Sequence, residues 1–258
     1  MPMESKSFQL LRSRIEYLRQ HLELLDAALT HTDNQLKLDG LGTKQVSEVL
    51  NVPNHSSLNH PTTERKRLIR YSRSKNAEYS IIELYKYFTE YLRNILGEMY
   101  QENPQKMIGS LTGNRDAISL TAYKIVELGS YEKISEYIVS EVFRRLENEK
   151  STPKLLSKIL DYAGITIEQS VKDYALMYLE MRHLYIHNNG KVDAKFKSKY
   201  DDMIKLNRNG KLPSTYTTTN TAIASIYKLC QEIDSSLIKK QVLCVNNVLC
   251  VNKPKCKA

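Results

Sequence analysis

A chain of 258 residues with 41% hydrophobic content can bury a sizeable core. Its longest uncharged apolar run, residues 242–251, is far too short to span a bilayer, and the first residues carry Glu4 and Lys6 with no apolar signal region, so no membrane association and a cytoplasmic location are expected. The formal charge of +9 is concentrated in residues 64–75, with six Lys or Arg to one Glu, and in residues 239–258, with five Lys and no acid; this suits an RNA backbone and equally a solvated surface.

Seventeen tyrosines, no tryptophan, 9 glycines and 7 prolines, with long stretches free of turn residues, predict a mostly helical protein. From Phe8, the residues Leu11, Ile15, Leu18, Leu22, Leu25 and Leu29 keep an alternating step of three and four, with Arg12, Glu16, Arg19 and Glu23 outside. That pattern predicts a long heptad helix within residues 1–30, serving either as a dimerisation or partner surface or as a helix lying on its own domain. Residues 31–75 break the period at Asp39, Gly40, Gly42, Asn51, Pro53, Asn59 and Pro61 and read as a basic linker, partly disordered, with one short helix near residues 45–50. The phrase GLGTK at residues 40–44 lacks the spacing of a phosphate loop.

The main domain is expected over residues 76–240. Its first helix carries Ile81, Leu84, Phe88, Leu92, Ile95 and Met99 on one face and ends at Asn103 and Pro104. Asn114 is set to cap a helix through residue 128, Ser130 one through residue 145, and Ser151 or Thr152 one that stops near Gly164. Thr166 and Gln169 have capping-box spacing ahead of the next helix, and Ile223, Ile226, Leu229, Ile233 and Leu237 mark a closing helix over residues 220–238. The tail, residues 241–258, repeats VLCVN and could form a hairpin or stay disordered. The cysteines at 230, 244, 250 and 256 show no metal or redox spacing, so free thiols are expected, with no metal and no cofactor.

The chemistry gathers in residues 178–193, YLEMRHLYIHNNGKVD. Val171, Tyr174, Tyr178, Met181 and Tyr185 recur at helical spacing with Ala175, Leu179 and Ile186 on a neighbouring stripe, so this helix reads as apolar nearly all round and buried. Into its last turns it places Arg182, His183 and His187, and Asn188, Asn189 and Gly190 then tolerate the left-handed turn that ends a helix. Arginine grips phosphate oxygens with paired donors, and histidine as a residue type exchanges protons near neutrality. Together they fit cleavage of RNA by its own 2′-hydroxyl. The bland alternative makes Arg182 a structural residue paired with Glu180 or Asp193, and His187 a C-terminal cap. Residues five apart on a helix are turned roughly 140° from each other, so Arg182 and His187 do not share a face unless the helix end unwinds.

The stretch RHLYIHNNG resembles the signature of the HEPN superfamily, in which Arg, a polar residue, a few more residues and then His close a helix of a small all-helical domain. The resemblance implies an all-α antiparallel helical bundle, here preceded by the heptad helix. It implies a metal-independent endoribonuclease with Arg182, His187 and His183 as catalytic residues, and Asn188, Asn189 and Lys191 as the substrate-binding positions beside them. It further implies RNA as substrate, a homodimer with a composite active site, a role as a toxin or anti-phage effector, and an antitoxin or other regulatory partner. The alternative within the same fold is a non-catalytic module that binds RNA, a nucleotide or a protein. A second rival is an assembly protein whose working part is the heptad helix.

Overall fold

The heptad step from Phe8 becomes helix α1 (Lys6–Lys37). Ser5 caps it, its Oγ accepting the Phe8 N–H at 3.0 Å. Phe8, Leu11, Ile15, Leu18 and Leu22 are buried, each no more than 4% exposed, while Leu25 and Leu29 are half-buried. The seam is covered by the protein's own chain, so α1 lies on its own fold through this face. Each such buried side chain contributes about 1.5–3 kcal/mol relative to an exposed one.

The computed structural model describes residues 3–39, 42–102, 119–147 and 152–243. After α1 come α2 (Val46–Val49), α3 (Arg65–Glu102), α4 (Ala122–Leu128), α5 (Tyr131–Glu147), α6 (Thr152–Ala163), α7 (Gln169–Asn188), α8 (Ala194–Tyr200) and α9 (Tyr216–Lys239). The fold is all-α: among the described residues extended pairing is limited to two isolated bridges, Gln45 with Pro61 and Lys191 with Lys211. No described helix is long and apolar enough to cross a membrane.

Several boundaries differ from the sequence expectation. The expected linker over residues 31–75 instead carries the end of α1, α2, two 3-10 turns (Ser56–Leu58 and Thr62–Glu64) and the first turns of α3. The helix expected to begin near Asn76 therefore starts at Arg65. In the added turns Ile69 alone is buried, and an isolated apolar residue among six cations shows no period. The helix expected from Asn114 begins at Ala122, capped by Thr121, whose hydroxyl accepts the Lys124 N–H at 3.2 Å; Asn114 itself, the Asn103–Pro104 break, Ser151 and Cys244, Cys250 and Cys256 lie outside the described residues.

Two compact units emerge. One is drawn from the described residues up to Arg14, within Tyr85–Glu180 and from Ala224 onward. Here the Phe8 ring meets those of Tyr91 and Tyr227 at 6.2 and 5.4 Å, and the buried Tyr91 hydroxyl donates to the Cys230 carbonyl at 2.9 Å. The Ser5 N–H donates to Asp234 Oδ2 at 3.1 Å, and Arg14 pairs with Glu90. Burial pushes the Asp234 carboxyl above its ordinary range, helped by the charges of Glu98 and Glu4.

The other unit comprises Ile15–Leu84 and Met181–Ile223. Ile15, Leu18 and Leu22 of α1, Ile69, Ala77 and Ile81 of α3, and Leu184, Tyr185, Phe196, Tyr200 and Leu212 are buried in it. Arg73 pairs with Asp26 at 3.0 Å and donates to the Thr30 hydroxyl at 2.7 Å, which fixes α3 against α1 along its exposed edge.

Candidate functional site

α7 begins at Gln169, two residues later than a capping box with Thr166 as N-cap and Gln169 in the first turn would start it, and stays helical through Asn188. Val171, Ala175, Met177, Leu179, Met181, Leu184 and Tyr185 are buried along it. It is not apolar-buried all round: Tyr174 is 50% and Ile186 44% exposed, because the helix keeps a narrow outer face. His183 and His187 stand on that face. Their rings lie 4.7 Å apart, tilted by 44°, and both are exposed.

Arg182 is half-buried and in contact with its surroundings. Because α7 does not unwind before Asn188, the turn of roughly 140° between Arg182 and His187 is retained. Asp193, a sequence candidate for pairing with Arg182, caps α8 instead with its Oδ1, which accepts the Phe196 N–H at 2.8 Å.

The exit from α7 is tightly built. Asn189 and Gly190 adopt left-handed φ values of 50° and 75°, and the Gly190 N–H donates back to the Leu184 carbonyl at 2.9 Å. A strap formed by residues 207–213 then closes over this exit. The Leu212 N–H donates to the Gly190 carbonyl at 2.9 Å, and the Tyr185 hydroxyl donates to the Pro213 carbonyl at 3.2 Å. The strap is itself fixed by Asn207, whose Oδ1 accepts the N–H groups of Asn209 and Lys211 at 3.0 and 2.9 Å.

Beside this exit lies a cleft of about 770 Å³, walled by the first turns of α3, by Asn189 and Gly190, and by residues of the strap and the start of α9. Of the sequence-predicted site residues it contains Asn189 alone; Arg182, His183, His187, Asn188 and Lys191 do not line it. His183, His187, Asn188, Asn189 and Lys191 are all exposed around the end of α7. The cleft brings together Lys66, Arg70, Tyr71, Lys211 and Tyr216, which sequence reading did not single out as site residues. The basic run of residues 64–75 was the only signal for the α3 wall, and nothing local marked Lys211. Among the described residues no three His, Cys, Asp or Glu side chains gather as metal ligands.

Comparison with family models, with curated proteins and with solved structures found no match. The class of the protein rests on its own fold and side chains: all-α, with a paired-histidine helix end beside a basic cleft.

Proposed function

We propose that the protein is a metal-independent endoribonuclease of the HEPN type, cleaving RNA through its 2′-hydroxyl. The observation that carries this reading is the pair of exposed rings, His183 and His187, 4.7 Å apart at the end of α7, one residue and five residues beyond Arg182. In such a reaction one histidine takes the proton of the 2′-hydroxyl as that oxygen attacks phosphorus, and another gives a proton to the departing 5′-oxygen. The guanidinium holds the charge of the five-coordinate phosphorus, and the products carry a 2′,3′-cyclic phosphate and a 5′-hydroxyl. Since Arg182 and His187 are turned apart on one helix, the reading includes a homodimer in which two such helix ends meet. The biological setting proposed is that of a toxin or anti-phage effector restrained by a partner protein.

The test is cleavage of a labelled single-stranded RNA in excess EDTA by wild type, Arg182→Ala and His187→Ala, with a 2′-deoxy copy of the strand. Cleavage by wild type alone, absent on the deoxy strand, is the expected result. Equal cutting by all three proteins, or none by any, overturns it.

The cleft favours a second reading, a non-catalytic binding module, because the histidines do not line it and it gathers cations. Under that reading wild type binds RNA or nucleotide and leaves it intact.

A further inference from the structure

α3 opens with a charge arrangement that its own stability does not explain. Arg65, Lys66, Arg67 and Arg70 occupy its first two turns, where the helix dipole disfavours cations, and its first turn contains no acid. Arg65 is offset by Asp33 and Arg67 by Glu64. Lys66 and Arg70 make no ion pair among the described residues, and four positions apart on the helix they share a face. Both line the cleft.

Across from them stands Lys211, likewise without a carboxylate partner among the described residues, its backbone pinned by Asn207. The two acids of the cleft are already committed. Glu78 accepts from Lys75 at 2.6 Å and from Ser214 at 3.3 Å, and Asp33 accepts from Lys37 at 2.7 Å. The remaining walls offer aromatic surface: Tyr71, 63% exposed with the Lys75 ammonium 5.9 Å from its ring centroid, and the half-buried Tyr216. Three uncommitted cations with two aromatic rings in a space of this size match a phosphate group joined to a planar ring.

The geometry points to this cleft as a nucleotide-binding site: Lys66, Arg70 and Lys211 hold phosphate oxygens, and Tyr71 and Tyr216 offer faces for the base. The same chemistry is presented by a free nucleotide and by one unit of an RNA strand. Arg182 and His187 do not line the site, and the proposal does not depend on the ribonuclease reading.

The experiment measures binding of ATP and of a short single-stranded oligouridylate to the full chain, by titration calorimetry and fluorescence anisotropy. Wild type, Arg70→Glu, Lys211→Glu and Lys228→Glu are compared. Lys228 is an exposed lysine of α9 that does not line the cleft, and its reversal makes the same change in net charge. The expected result is that at least one ligand binds and that each cleft reversal weakens it about tenfold or more. Lys228→Glu then stays within about twofold of wild type.

Competition between the two ligands separates the sources. ATP that displaces the strand, or binds alone, marks a free-nucleotide site, and a strand that ATP cannot displace marks an RNA tract. Lysine acetylation footprinting of wild type gives a second readout that needs no variant to fold: bound ligand protects Lys66 and Lys211 and leaves Lys228 reactive. Absence of binding by either ligand overturns the proposal, and so does equal weakening by Lys228→Glu or protection that spares Lys66 and Lys211. Binding by wild type that depends on Arg70 and Lys211, without any cleavage, sinks the ribonuclease reading while leaving this site in place.

Discussion

The hydroxyl of Tyr185 donates to the carbonyl of Pro213 at 3.2 Å, fastening the last turns of α7 to the strap that walls the basic cleft. Removing it leaves a part-buried carbonyl unpaired while keeping the ring that packs on Gly190. Tyr185→Phe is expected to lower stability by about 0.5–1.5 kcal/mol in urea denaturation. It is also expected to raise amide exchange in residues 207–213 relative to the rest of the unit. Unchanged exchange in the strap argues against the tether.

Gly190 holds a φ of 75°, and a Cβ there would sit 3.4 Å from the Tyr185 ring. Both facts oppose a side chain. Gly190→Ala is expected to cost about 1–2 kcal/mol, read from the denaturation midpoint. Gly164, also left-handed at φ 63° but with nothing near its missing Cβ, provides the comparison. An alanine at 164 that costs more than one at 190 would show that backbone strain alone sets the penalty.

His183 and His187 are exposed, so removing them should leave the fold alone. Under the proposed ribonuclease reading, His187→Ala is expected to lower the rate of RNA cleavage by about 10²–10⁴-fold, with a melting temperature equal to wild type. A loss of activity that tracks a loss of folded protein would instead assign His187 a structural role.

Asp234 is 2% exposed, accepts one N–H from Ser5 and leaves its Oδ1 without a hydrogen-bond partner. Burial raises its carboxyl pKa, so between the ordinary carboxylate range and its raised value the folded state keeps a proton that the unfolded state has released. Stability therefore falls as pH rises through that window and is flat above it. Asp234→Asn keeps an oxygen for Ser5 and carries no charge. It is expected to melt higher than wild type at neutral pH and to lose this part of the pH slope. An asparagine variant with the wild-type slope and a lower melting temperature would place the proton uptake elsewhere.

The parts of this fold legible in sequence are those where large apolar side chains keep a helical step. Phe8 to Leu22 announced α1, the stripe from Val171 to Tyr185 announced α7, and the stripe from Ile223 to Leu237 announced α9. The first turns of α3 were not legible, because Ile69 is the one buried residue between 65 and 76 and the surrounding charges read as a linker. At the site, the local motif foretold the shared face of His183 and His187, a property of helical spacing alone. The cleft was not legible. Lys66 and Lys211 are brought together by the strap's hydrogen bonds and by packing, and no local pattern encodes that meeting.

The cations at the start of α3 also bear on how that helix melts. With Lys66 and Arg70 repelling each other and the N-terminal dipole, its first two turns are the cheapest part of the helix to fray. An anion seated between them would reverse that repulsion and lengthen the ordered helix. Occupancy of the cleft would then be written in the backbone, as slower amide exchange over residues 65–71, even for a ligand that is never chemically changed.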